Sequence, residues 1–63
     1  MNKRYVKEFA NDMLKADLTM NTKQEIHNIV ARYMYGKYTT MESIRKIVSV
    51  VDMDRDSRGL YRY

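Results

Sequence analysis

Apolar residues recur every three or four positions along three segments of this chain, and this spacing limits the fold more than any other feature. Such spacing places apolar side chains on one face of an α-helix. It predicts helices at about residues 3–18, 23–35 and 40–52. The apolar positions are Tyr5, Val6, Phe9, Ala10, Met13, Leu14 and Leu18 in the first segment, Ile26, Ile29, Val30, Tyr33 and Met34 in the second, and Met41, Ile44, Ile47, Val48 and Val51 in the third.

Polar residues and a glycine mark the ends of the predicted helices. Thr22 and Glu25 match the capping box, in which each side chain accepts a hydrogen bond from the other residue's backbone amide. Thr39 and Glu42 repeat the pattern before the third helix. Gly36 lies where a helix commonly ends in the left-handed conformation. Because the connection there is short, the sequence predicts an all-α three-helix bundle in which helices two and three form a hairpin.

The apolar pattern stops after the third segment, so we expect one domain at residues 1–52 and a tail containing Arg and Tyr at residues 53–63. A chain of 63 residues buries only about 60% of its unfolded surface, which predicts marginal stability. Such a chain gains stability by association, and a homodimer is therefore one predicted assembly.

The absence of cysteine excludes disulfide scaffolds and cysteine-ligated metal sites, and it favours a cytoplasmic location. Apolar runs are too short for a secretory signal or a membrane span, so no membrane association is expected. The chain has one histidine, His27, which we expect to be a partly exposed helix residue. No nucleophile is paired with a base in a recognisable pattern, and the sequence predicts neither an enzyme nor a cofactor site.

Three alternate aspartates, Asp52, Asp54 and Asp56, have the spacing that opens an EF-hand calcium loop. The match fails further on, because Ser57 takes the place of the loop glycine and Tyr63 that of the bidentate glutamate. These aspartates are therefore interpreted as solvated residues paired locally with arginines, and no metal site is predicted.

Cations and aromatic residues alternate around the predicted hairpin turn and recur in the tail. Tyrosine and arginine are enriched in protein interfaces, and exposed methionines such as Met20 and Met53 suit adaptable binding surfaces. The sequence therefore predicts a non-enzymatic module that binds a protein partner. The residues predicted to contact it are Arg32, Tyr35, Lys37, Tyr38, Arg58, Tyr61, Arg62 and Tyr63.

A helix-turn-helix protein that reads DNA through helix three is the alternative prediction. With Ala31 at the buried helix crossing, Val30, Met34, Met41 and Ile44 fall at expected apolar positions. Gly36 is one residue late for this motif, and Glu42 would face the phosphates. The residues that would contact DNA are Lys37, Tyr38, Thr39, Thr40, Ser43 and Lys46. The sequence does not distinguish DNA from RNA.

The glycine turn and threonine cap resemble a hairpin of many short helical proteins, including small proteins encoded by bacteriophages of low-GC bacteria. The residues that carry this resemblance are Tyr35, Gly36, Lys37, Tyr38, Thr39, Thr40, Met41, Glu42, Ser43 and Ile44. The resemblance implies a cytoplasmic protein that binds a host or phage component. By analogy with anti-CRISPR proteins, it would be a stoichiometric inhibitor of host nucleic-acid machinery.

Overall fold

The computed structural model describes residues 3–57, and this part of the chain folds into three α-helices without a strand. Helix α1 spans Lys3–Leu14, α2 spans Met20–Met34 and α3 spans Thr40–Ser57. The predicted all-α three-helix bundle is confirmed. No helix in the described residues is both long enough and apolar enough to span a membrane.

Two contacts between helix ends establish the direction of each helix. The Lys3 ammonium donates to the Met34 carbonyl at 3.1 Å, so α1 begins where α2 ends. The Thr19 amide, just before α2, donates to the Asp54 carboxylate at 2.9 Å near the end of α3. The helices therefore run up, down and up. We call the end that contains residues 35–39 the turn end, and the end that contains residues 15–19 the loop end.

The core lies between the three helices and contains side chains from all of them. Ile26 of α2, Ile47 of α3 and Val6 of α1 are fully buried. Within residues 3–57, the buried apolar residues are Val6, Ala10, Leu18, Ile26, Ile29, Tyr33, Ile47 and Val51. At about 25 cal/mol per Å² of apolar surface, burial of these side chains is the main favourable term for folding.

Helix α1 ends at Leu14 rather than at residue 18, so this predicted boundary was wrong. The next two amides bond three residues back, Lys15 to the Asp12 carbonyl and Ala16 to the Met13 carbonyl, which tightens the last turn. Leu18 is nevertheless buried, because the connecting segment carries it into the core. The apolar character of Leu18 predicted its burial correctly, but Leu18 does not belong to the helix as predicted.

Helix α2 begins at Met20, and its N-cap is Thr19 rather than Thr22. The Thr19 hydroxyl accepts from the Thr22 amide at 3.3 Å, and the Thr19 carbonyl accepts from Lys23. Thr22 is buried inside the first turn of the helix, with its hydroxyl 3.0 Å from that of Thr19. The predicted capping box between Thr22 and Glu25 is therefore wrong.

Helix α3 continues to Ser57, five residues beyond its predicted end. Residues 53–57, which the sequence assigned to the tail, belong to this helix. Asp54 is buried there because it accepts hydrogen bonds from both the amide and the hydroxyl of Thr19. The prediction from apolar periodicity assumed that an aspartate lies on the surface. It therefore ended α3 before its last turn.

The buried face of α3 is also rotated from the predicted one. Met41 is 62% exposed and Val48 is 40% exposed, although both belong to the predicted apolar stripe. Ser43 is fully buried instead, and its hydroxyl donates to the Thr39 carbonyl at 2.9 Å. A small polar side chain that bonds its own helix backbone can be buried at little cost, which explains why the polar residue lies inside.

The turn between α2 and α3 has the predicted chemistry. The Glu42 amide donates to the Thr39 hydroxyl and the Thr39 amide donates to the Glu42 carboxylate, each at 3.1 Å, so this capping box is confirmed. Gly36 has φ +82°. Its amide donates to Tyr33, and the Lys37 amide donates to the Arg32 carbonyl. Together these bonds form a Schellman motif, which ends α2 and turns the chain towards α3.

Candidate functional site: a basic and aromatic surface at the turn end

Charge is distributed unevenly along the bundle. The half towards the turn end, residues 3–8 and 28–48, has seven basic and two acidic residues, a net charge of +5. The other described half, residues 9–27 and 49–57, has three basic and six acidic residues, a net charge of −3. The basic residues of the turn half are Lys3, Arg4, Lys7, Arg32, Lys37, Arg45 and Lys46, and its acidic residues are Glu8 and Glu42. The turn half of the described residues therefore has a positive electrostatic potential.

Tyr38 connects two of these cations. An Arg32 guanidinium nitrogen donates to the Tyr38 hydroxyl at 3.3 Å. The Lys46 ammonium lies 4.9 Å from the centre of the Tyr38 ring, within the range of a cation–π interaction. The same aromatic side chain thus holds one cation at its hydroxyl and another at its ring.

The fold supplies this arrangement from three adjacent elements. Arg32 lies in the last turn of α2, and Lys46 lies in the second turn of α3. Tyr38 belongs to the connecting turn and packs partly against the core. Gly36 reverses the chain between them, which brings the Tyr38 ring back alongside both helices. Because the ring is half-buried, it is held more firmly than a tyrosine on an open surface.

Neither cation beside Tyr38 forms an ion pair with an acid of the described residues. Within residues 3–57, the ion pairs join Arg4 to Glu8 and Lys15 to Asp12, and none includes Arg32 or Lys46. The guanidinium of Arg32 is charged at physiological pH, as in any arginine, and the hydrogen bond to the Tyr38 hydroxyl raises its pKa further. Two fixed positive charges are therefore available to a ligand.

A shallow groove of about 350 Å³ runs from this cluster between α2 and α3. Ile29 and Val50 provide its apolar part, and Glu25 provides an acidic group. The residues that line the groove are Glu25, Asn28, Ile29, Arg32, Tyr38, Lys46, Ser49 and Val50. It is mixed in character, with cations near the turn and an apolar surface beyond them.

Tyr35 is 83% exposed at the C-cap of α2. Lys37 is exposed two residues later, and it lines a second depression with Arg32 and Tyr38. We call the five residues Arg32, Tyr35, Lys37, Tyr38 and Lys46 the basic-aromatic surface. Four of them belong to the predicted protein-contact set, and Lys46 was predicted only as a DNA contact.

The remaining predicted contacts have different positions. Arg58, Tyr61, Arg62 and Tyr63 lie outside the described residues. Thr39 has its hydroxyl engaged in the helix cap, and the Thr40 hydroxyl lies 2.9 Å from that of Tyr33. Ser43 is fully buried, so the prediction that it contacts DNA is wrong.

The α2–α3 pair is an antiparallel hairpin along its whole length. In a helix-turn-helix the two helices cross at about 90–120° and separate beyond the turn. Here Tyr33 contacts Thr40 next to the turn, and Thr19 contacts Asp54 at the far end. Ala31, which that motif would bury, is exposed. The hairpin therefore does not present α3 as a helix-turn-helix presents its recognition helix.

The three alternate aspartates do not converge. They lie on continuous helix α3, where residues two positions apart point in nearly opposite directions. Asp54 faces inward, whereas Asp52 and Asp56 are exposed. Among the described residues no group of acidic or histidine side chains is arranged to hold a metal ion. His27 is exposed on α2, close to Leu14 and Val30.

Sequence reasoning did not identify the contacts of Tyr38 with Arg32 and Lys46. Those contacts depend on how the turn orients α3 relative to α2, and short sequence patterns do not predict this orientation. The groove residues Asn28, Ile29, Ser49 and Val50 were also missed, because nothing in the sequence of either helix marks them as binding residues.

Comparison with protein-family models, curated proteins and solved structures found no significant match to this chain.

Proposed function

We propose that this protein is a non-enzymatic binding module that docks on an acidic surface of a partner protein through its basic-aromatic surface. The observation that carries the proposal is that Tyr35 is 83% exposed, close in sequence to the exposed Lys37 and to Arg32, which has no ion pair within residues 3–57. An exposed tyrosine lacks the stabilisation that aromatic side chains gain when they are buried. Tyrosine and arginine are also among the residue types that contribute most to binding energy in protein interfaces.

Charge supports an acidic partner. The turn half has a net charge of +5, which accelerates association with an oppositely charged surface and weakens the complex as salt rises. Tyr35 and the aromatic ring of Tyr38 would supply the apolar contact at the centre of the interface, and Arg32 and Lys37 would supply charge at its rim. The mechanism is occlusion or scaffolding, since binding alone is required of the protein.

The resemblance to small phage proteins extends this proposal to an inhibitor of host nucleic-acid machinery in the cytoplasm. A basic surface does not imitate nucleic-acid phosphates, so such an inhibitor would act by covering an acidic region of its target rather than by entering a nucleic-acid channel. The helix-turn-helix alternative has weaker support, because the α2–α3 hairpin is antiparallel and Ser43 is buried.

Affinity capture from the native host, with nuclease added, tests the proposal. The baits are the wild-type protein, a Tyr35→Ala and Lys37→Gln double variant, and a Lys15→Gln control at the loop end. We expect a protein that the wild type and the control recover equally and that the double variant loses. A protein recovered equally by all three baits contradicts the proposal. Recovery that nuclease abolishes supports nucleic-acid binding instead.

A further inference from the structure

The Arg32–Tyr38–Lys46 cluster has unused hydrogen-bond donors that point to one kind of ligand. Tyr38 accepts from Arg32, so the proton of its own hydroxyl remains available for donation. The Lys46 ammonium lies over the ring in a cation–π contact, and its N–H groups that point away from the ring can donate to an acceptor. The guanidinium of Arg32 has further donors in a planar fork.

We propose that Arg32, Tyr38 and Lys46 form a binding site for the phosphate monoester of a phosphorylated side chain on the partner protein. This inference rests on the proposed function, and it specifies the group that the basic-aromatic surface would recognise. A phosphate monoester has a charge of about −1.5 to −2 at neutral pH and three acceptor oxygens. It matches the three donor groups and the additional charge of Lys37, which lines a depression with Arg32 and Tyr38.

The acidic residue in the groove distinguishes this ligand from a nucleic-acid strand. Glu25 lines the same groove as the cations, together with the apolar side chains of Ile29 and Val50. A strand following the groove would bring a second phosphate towards that carboxylate, which is unfavourable. A peptide with one phosphate at the Tyr38 end and apolar residues over Ile29 and Val50 meets no such repulsion. The presence of Glu25 in the groove therefore favours a peptide with one phosphate over a strand with several.

A two-dimensional amide NMR titration of the full chain with phenyl phosphate at pH 7.5 tests the site. Benzoate serves as the singly charged comparison. We expect saturable shifts centred on Tyr38 and Lys46, with phenyl phosphate binding about fivefold more tightly than benzoate, because one more unit charge near a cation in water changes affinity by about that factor. Affinity should fall at pH 5.5, below the second phosphate pKa of about 6.

Three variants identify the residues involved. Tyr38→Phe retains the ring and removes the hydroxyl, and Lys46→Gln removes one charge. Each should weaken phenyl phosphate binding by about fivefold, the first because a hydrogen bond is lost and the second because a charge is lost, whereas Lys15→Gln should change it by less than twofold. The amide spectrum of each variant first verifies that it is folded.

Equal affinity for benzoate and phenyl phosphate, or shifts that neither Tyr38→Phe nor Lys46→Gln alters, would overturn the phosphate site. Failure of this site is distinguishable from failure of the proposed function. If phenyl phosphate does not bind but partner capture still requires Tyr35 and Lys37, the proposed protein-binding function is supported and the proposed phosphate site is wrong. Binding of a phosphodiester dinucleotide more tightly than phenyl phosphate would contradict the peptide assignment.

Discussion

One carboxylate oxygen of Asp54 accepts hydrogen bonds from both the amide and the hydroxyl of Thr19, at 2.9 and 3.1 Å. The two residues are 35 positions apart and join the end of α3 to the start of α2. Thr19 also caps α2 by accepting from the Thr22 amide. A buried anion at this helix N-terminus interacts favourably with the helix dipole. The same pair therefore fixes where α2 begins and how the hairpin closes at the loop end.

Replacing Thr19 with valine should destabilise the protein by about 1–2 kcal/mol, because valine keeps the shape but removes the cap and one bond to Asp54. Thr19→Ser retains the hydroxyl and should cost less than about 0.5 kcal/mol. Urea unfolding followed by circular dichroism measures both. Combining Thr19→Val with Asp54→Asn should give a coupling energy of about 0.5 kcal/mol or more. Additive effects of the two changes would show that the contact contributes nothing to stability.

Gly36→Ala should destabilise the protein by about 1 kcal/mol. A Cβ at Gly36 has no atom within 4 Å, so no collision is involved, and the cost comes from φ +82° alone. Gly36→Asn should cost less, since asparagine adopts this conformation more readily. Thermal unfolding of the two variants provides the comparison. If alanine proves as stable as glycine, the left-handed residue at this turn is not required.

The two hydrogen bonds of the α3 capping box can be tested separately by substitution. Thr39→Ala should cost about 1 kcal/mol of unfolding free energy, because the Glu42 amide loses its acceptor. Glu42→Gln retains an acceptor for the Thr39 amide and should cost only a few tenths of a kcal/mol. Chemical denaturation measures each difference. An equal loss in both variants would mean that the charge of Glu42, rather than its hydrogen bond, stabilises this helix end.

Two residues of α3 test the orientation of that helix. Ile47 is fully buried, and Ile47→Ala should destabilise the protein by about 2–4 kcal/mol, enough to unfold much of a small domain. Met41 is 62% exposed, and Met41→Ala should cost no more than about 0.5 kcal/mol. Similar losses at the two positions, measured by urea unfolding, would favour the apolar face predicted from the sequence.

The parts of the fold that depend on nearby residues could be predicted from the sequence. Thr39 and Glu42 are three positions apart, and Gly36 acts on its own backbone, so their roles were predictable. The start of α2 was not, because the choice of Thr19 over Thr22 as its cap depends on Asp54 in another helix. The rotated face of α3 was also missed, since Ser43 becomes suitable for the core only through its bond to the Thr39 carbonyl.

The candidate site also contains residues that could be predicted from the sequence and residues that could not. Alternation of cations and aromatic residues predicted Arg32, Tyr35, Lys37 and Tyr38 as one surface, because these residues are close in sequence around the turn. The participation of Lys46 in the same cluster depends on the antiparallel packing of α2 and α3, which brings it over the Tyr38 ring. The separation of charge between the turn and loop ends likewise follows from helix direction.

A binding surface at the turn end is tested by the affinity of the captured partner for three purified proteins: the wild type, Tyr35→Ala and the loop-end control Lys15→Gln. Titrations by fluorescence anisotropy at two salt concentrations provide the dissociation constants. We expect Tyr35→Ala to weaken binding at least tenfold, Lys15→Gln to change it less than twofold, and higher salt to weaken the wild-type complex. Equal affinities of all three proteins, independent of salt, would contradict a binding surface at the turn end.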